Sequence, residues 1–137
     1  SRVICEYLNQ RAAGQLLPAD SEARWLCLTR QALGDGLLDA ALLARYETSA
    51  RPLEKQWSAW RDAQLTKVAA ALAAIEQQAE AFSRTPDDLG LIAIGCGLGY
   101  LDFRFAELNW RATHPQSAAW FALFDAHPAM AATRPHL

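Results

Sequence analysis

Few residues in this chain are of types that do chemistry, and their spacing works against it. The three histidines, His114, His127 and His136, each adjoin a proline. None stands four residues from another ligand, so no pair shares a helical face as a metal site needs. The three cysteines, Cys5, Cys27 and Cys96, are odd in number and lack CxxC spacing or a nearby histidine. They read as free, buried, structural thiols in a reducing compartment, and not as a disulfide framework, a zinc site or a nucleophile. The run Gly95-Cys96-Gly97-Leu98-Gly99 is glycine-rich enough for phosphate cradling, but no strand precedes it and it lies inside a helical pattern. Gly95 and Gly99, four apart, read instead as a place where a neighbouring helix comes close. Asp102 and Arg104 follow an uncharged run, and one or both are expected in a hydrogen-bonded cluster that closes it.

The elements that would hold these residues are helices. From Leu89 to Leu101 there is no charge, and Leu91, Ile94, Leu98, Leu101, Phe105 and Leu108 recur at threes and fours. The other side, with Ile92, Ala93, Cys96 and Tyr100, is no more polar, and a helix apolar all round belongs in the centre of a bundle. Upstream, Ser1 to Leu8 carries Ile4, Tyr7 and Leu8 at helical spacing; it is too short to stand alone and must be docked. Asn9 to Asp20 connects it to a long helix capped by Asp20 or Ser21 and running to about Ser49. The stripe expected there is Leu26, Leu33, Leu37, Ala41 and Ala44, flanked by Trp25, Leu28, Ala32, Leu38 and Leu42. Gly34 and Gly36 interrupt it at about 1 kcal/mol each, which implies a kink or a close backbone approach. A further helix is expected over Leu53 to Phe82, on the stripe Leu65, Val68, Leu72, Ile75, Ala79 and Phe82. His114-Pro115 opens another with Trp120, Phe121 and Phe124, and PAMAA forms a last short turn. The fold class is all-α, with five or six helices around a buried central one and no sheet.

Composition agrees with one globular domain. At 137 residues, with 52% hydrophobic and 20% charged residues, the chain can bury about two-thirds of its unfolded surface. A net charge of −2 and the absence of any lysine or arginine run argue against nucleic acid or anionic lipid as a partner. No apolar run reaches the ~18 residues of a membrane span, and no signal peptide is visible. Ser1 leads straight into a helical pattern with no methionine before it, so a piece of a longer protein is expected.

The order SRVICEYL, LLP, an arginine-bearing helix with GDGLLDA, then IAIGCGLGYLDFR and AAWFALFDAHPAMAATRP resembles the carboxy-terminal half of cytosolic glutathione transferases, bacterial types especially. The resemblance covers essentially the whole chain, and GCGLGYLDFR with SRVICEYL…LLP is its most specific part. It implies that residues 1–10 are the last helix of a thioredoxin-like half otherwise missing, that 11–20 are a linker, and that 21–137 are the helical domain. Ser1 then matches the family's serine that binds the γ-glutamyl carboxylate, as a hydroxyl and free N–H groups at a helix start suit an anion; the alternative is a plain cap. Asp35, between Gly34 and Gly36, matches an aspartate that reaches the glutathione amino group of the neighbouring subunit; the alternative is a solvated carboxylate or a salt bridge across a dimer. Ala41 and Arg45 fall where that helix borders the hydrophobic-substrate pocket. The family's central helix opens with a capping box, Ser/Thr-x-x-Asp; here Asp88 can still cap, but Leu91 cannot return the bond, a loss of about 1 kcal/mol.

What the resemblance implies is a transferase joining the glutathione thiolate to a small hydrophobic electrophile. Glutathione is a co-substrate, with no prosthetic group and no metal. The expected protein is cytoplasmic, homodimeric and engaged in detoxification, without a nucleic-acid or membrane partner. The thiolate-stabilising Ser, Tyr or Cys would lie in the thioredoxin-like half, so no catalytic residue is assigned in this chain, which by itself is expected to be inactive. The alternative is a non-catalytic interaction or regulatory module on the same fold. The two separate on the gene: sequence encoded ahead of Ser1 is expected to show a βαβ pattern, a cis-proline motif ending in Val-Pro and a polar thiolate donor. An unrelated upstream domain would sink the enzyme reading.

Overall fold

Two helices packed backbone to backbone set the frame. In the computed structural model, which describes residues 2–135, helix α2 (Ser21–Ser49) crosses α4 (Leu89–Arg104). Asp20 caps α2 by accepting from the Ala23 N–H at 3.0 Å, and Asp88 caps α4 by accepting from the Leu91 N–H at 2.7 Å. At the crossing, a methyl group on Gly34 would lie 2.5 Å from the Ala93 carbonyl carbon. One on Gly90 would run into the Cys27 carbonyl oxygen, and one on Gly97 would meet Leu37 Cδ2 at 3.0 Å. Gly36, by contrast, faces open space, so of the two glycines inside α2 only Gly34 is required by packing.

The stripe read in the sequence carries through at Leu37, Ala41 and Ala44, and this closeness adds small residues to the buried face of α2. The inward residues are Cys27, Gln31, Gly34, Leu37, Ala41 and Ala44, whereas Trp25 and Leu26 are exposed. Small side chains occupy the places where α4 comes nearest, and the large ones are displaced to the flanks. Gly95 serves a different neighbour, since a methyl there would stand 2.6 Å from Phe124 Cε1, while Gly99 has only ordinary contact with Phe121. Neither of this pair is where a helix backbone closes in.

Around that pair, α1 (Arg2–Arg11) runs past Leu8 by a turn, and the connection after it is shorter than expected. Asn9 Oδ1 accepts from the Leu16 N–H at 3.0 Å and closes the turn. The expected helix over 53–82 is three pieces. A 3-10 turn at Leu53–Lys55 precedes α3 (Ser58–Glu76), and a second at Ala79–Ala81 follows it. The buried Glu47 carboxylate accepts from the Trp57 N–H at 2.7 Å and pairs with Arg51 Nε at 3.0 Å, which holds the chain extended ahead of Ser58. The stripe still carries through, because Val68, Leu72, Ile75, Ala79 and Phe82 are all buried.

Helices α5 (Trp110–Thr113), α6 (Pro115–Asp125) and α7 (Pro128–Ala131) complete the bundle, giving seven α-helices among the described residues, two of them single turns. Trp120, Phe121 and Phe124 of α6 enter the core, with Trp120 and Phe124 ring centres 4.6 Å apart. Asp102 accepts from Trp110 Nε1 at 2.8 Å and from Arg111 Nη2 at 2.6 Å, the expected cluster at the end of α4. Arg104 stands outside it, its guanidinium 3.8 Å from the Phe103 ring centre. Among the described residues no single helix is long and apolar enough to cross a membrane, and the segment containing α4 qualifies only as a pair bent by 96°.

Glu76, at the end of α3, caps α6 from outside. It accepts from the Gln116 N–H at 2.9 Å, the Ser117 N–H at 2.8 Å and Ser117 Oγ at 2.6 Å. Burial pushes its carboxyl up, but the bonds from Ser117 and Gln116 outweigh this and hold it below its ordinary value of 4.5. A folded value below the unfolded one means the folded chain binds fewer protons there, so the contribution is full above about 4.5 and is lost as pH falls through the folded value. Glu76→Gln is expected to cost about 1–3 kcal/mol at neutral pH, with the gap to the parent closing in acid; denaturant melts at two pH values measure it. A pH-independent gap would assign the loss to packing. For the helix crossing, Gly34→Ala is expected to destabilise by about 1–3 kcal/mol through overpacking, and Gly36→Ala to stabilise by up to about 1 kcal/mol through helix propensity. Equal effects would mean that the α2–α4 backbones are not in contact.

Candidate functional site

Two depressions adjoin along one face of α2. The first, of about 600 Å³, lies between the start of α1 and the middle of α2, lined by Arg2, Val3 and Ile4 on one side and Asp35, Leu38 and Asp39 on the other. Helix α1 buries no residue fully and is held mainly by charge. Arg2 Nε meets Asp35 Oδ2 at 2.7 Å, and Arg24 Nη2 meets Glu6 Oε1 at 2.8 Å. Half-buried Cys5 adds an apolar contact to the small cluster of Leu17, Cys27 and Leu89. Asp35 is itself partly exposed, beside the open backbone of Gly36.

The second cavity, of about 570 Å³, opens between α2, α4, α6 and α7. Leu38 forms one wall; Cys96, Tyr100 and Phe103 run along α4; Phe121 and Met130 close the far side. Leu38 therefore lines both depressions, so a molecule in the groove lies next to one in the cavity. At the rim, Asp125 is paired with Arg134 at 2.6 Å and Asp102 with Arg111. Burial pushes the Tyr100 phenol up, the charges of Arg45 and Arg104 oppose that, and Tyr46 adds to it.

The residues singled out in the sequence fall in different places. Ser1 lies outside the described residues. Asp35 lines the groove, and Arg45 is half-buried on the same side of α2, with Leu38 and Leu42 between them. Ala41 is fully buried in the core and lines neither cavity; the pocket border on α2 runs through Leu38 instead. The reason is angular: at 100° per residue, positions 35, 38, 42 and 45 share a face, and 37, 41 and 44 share the next one inward. Of the cysteines, Cys27 is fully buried, with its thiol pushed up by burial, but Cys96 is exposed into the second cavity, against expectation. Cys96, Tyr100, Phe103 and Arg104 were not legible as a wall. Their one signal was that α4 is apolar on all sides. Among the described residues no three His, Cys, Asp or Glu side chains converge as metal ligands.

No family model matches the chain. Its sequence is similar to an uncharacterised GST-like protein, YibF, of Escherichia coli K12, at 31% identity over 118 residues, and the chain spans 58% of that relative's length. Its fold is similar to a glutathione transferase family member from Pseudomonas fluorescens Pf-5 solved with bound S-(propanoic acid)-glutathione. That match has a TM-score of 0.91 and 46% identity, over 99% of this chain and 70% of that one. A glutathione S-transferase from Methylobacillus flagellatus KT, solved with glutathione bound, matches at a TM-score of 0.89 and 34% identity, over 98% of this chain and 68% of that one. With an all-helical bundle superimposing over nearly its full length on such proteins, the chain belongs to the glutathione transferase family and corresponds to its C-terminal helical domain.

Proposed function

We propose that the protein carrying this chain is a glutathione transferase that joins the glutathione thiolate to small hydrophobic electrophiles. The observation that carries the reading is the junction at Leu38, where a groove edged with charge adjoins a largely apolar cavity. Solved relatives hold glutathione or a glutathione conjugate, which supports giving the groove to the tripeptide and the cavity to its partner. In the reaction the sulfur forms a bond to an electrophilic carbon; with an aryl halide, the carbon–halogen bond breaks and the halide leaves with its electron pair. The thiolate donor is supplied by a thioredoxin-like half, of which residues 1–10 are the last helix, joined through 11–20 to the helical domain of 21–137. The working unit is a cytoplasmic homodimer serving detoxification, and the chain on its own is inactive.

Ser1 takes the γ-glutamyl carboxylate of the subunit's own glutathione, and Asp35, at the edge of the groove, reaches the amino group of the glutathione held by the neighbouring subunit. Arg2 Nε occupies Asp35 Oδ2, and Oδ1 accepts no hydrogen bond among the described residues, so one oxygen is open to an ammonium. In the full-length protein, Asp35→Ala is expected to weaken glutathione binding by roughly 10-fold or more, the scale of one charge-assisted hydrogen bond. Asp39→Ala, on the same groove, is expected to change it less than about twofold, as a solvated surface charge does. Calorimetric titration compares the two, with Arg2→Ala as the variant that breaks the ion pair but keeps the carboxylate. Equal affinities for the Asp35 and Asp39 variants would remove Asp35 from the site. Failure of the full-length protein to conjugate glutathione to methyl 4-chloro-3-nitrobenzoate would remove the transferase reading.

A further inference from the structure

We propose that the cavity beside Leu38 selects electrophiles bearing an anionic group, a carboxylate above all, and that Arg104 receives this group. The proposal rests on the transferase reading for what happens to the electrophile, but not for its binding. It follows from the charges around the cavity. Asp102 is neutralised by Arg111, with Trp110 Nε1 as a second donor, and Asp125 is neutralised by Arg134. That leaves Arg104 on the lining, half-buried, and among the described residues its guanidinium has no hydrogen bond and no carboxylate partner.

A cation partly withdrawn from water is costly until an anion joins it. Arg104 is also held in a receptive pose. Its guanidinium lies 3.8 Å from the centre of the Phe103 ring, on the apolar wall, an arrangement that favours the cation at the ring and leaves N–H groups to donate elsewhere. A planar carboxylate matches such a fork bidentately, and Tyr100, on the same lining, carries a hydroxyl able to donate. The rest of the wall, Leu38, Phe103, Phe121 and Met130, suits an apolar body, so the fitting ligand is an apolar molecule with one acidic end.

The test uses the full-length protein with S-methylglutathione, which cannot react, filling the tripeptide site. Binding of 4-chloro-3-nitrobenzoate and of its methyl ester is measured by calorimetry at low and high salt. The anion is expected to bind about tenfold more tightly than the ester at low salt, as one charge-assisted contact would give. The preference should shrink with salt and disappear in Arg104→Gln, while Arg104→Lys keeps part of it. Equal affinity of the parent for the two probes overturns the proposal without recourse to any variant. So does a preference that survives Arg104→Gln in a protein whose circular dichroism shows it folded. Conjugation of the ester is followed separately with glutathione itself: its absence would sink the transferase reading, and the binding preference would still decide this one.

Discussion

The contact between the α2 and α4 backbones is the constraint on which the rest of the structure depends. Gly34 against Ala93 and Gly90 against Cys27 let the two helices approach more closely than any pair of side chains would allow. Close approach multiplies small dispersion gains over many atoms and leaves few ways to slide, because a shift by one residue would bring a Cβ into a facing backbone. The register so fixed decides which way every other face of α2 points. Leu37, Ala41 and Ala44 turn into the core, and Asp35 and Leu38 turn toward the depressions.

Carboxylates then set where the surrounding elements begin. Asp20 and Asp88 cap their own helices, while Glu47 and Glu76 reach across to backbone N–H groups of other segments. Arg30 ties the two systems together, with Nη1 3.7 Å from Asp88 Oδ2 and its guanidinium 4.8 Å from the Phe82 ring centre. These bonds satisfy groups that would otherwise be orphaned at helix ends, and they aim the helices as well as closing them. Through Glu76 the direction of α6 is tied to the end of α3, and α6 carries Phe121, a wall of the apolar cavity.

The site is a consequence of the same arrangement. Helix α1 lies against α2 by two exposed ion pairs and a small apolar cluster, which leaves a groove along their junction instead of a sealed interface. Helix α4 is covered by α2 on one side and by α6 on another, and the strip through Cys96, Tyr100 and Phe103 remains open. Leu38 stands where the two openings meet. Such a layout sets a charge-edged opening beside a largely apolar one.

The sequence by itself determined the helices whose evidence is local: α2 and α4 with their aspartate caps, the proline start of α6, and the stripe from Val68 to Phe82. Its ordered motifs also determined the family. Caps and periodicity are properties of neighbours along the chain, so no third dimension is needed to see them. The break of the 53–82 helix ahead of Ser58 was decided by Glu47, a residue on another helix, and the α2 stripe extends over Cys27 and Gly34, which carry little hydropathy where backbones touch. Asp35 was legible through the resemblance, but its ion pair with Arg2 is a contact across 33 residues. That Ala41 is core while Leu38 is wall was settled by the packing of α2 on α4, and that Asp102 finds two donors was settled by α5, which carries Trp110 and Arg111. A face of a helix becomes a site only when the helices around it leave it uncovered, and hydrophobic pattern records burial of either kind alike.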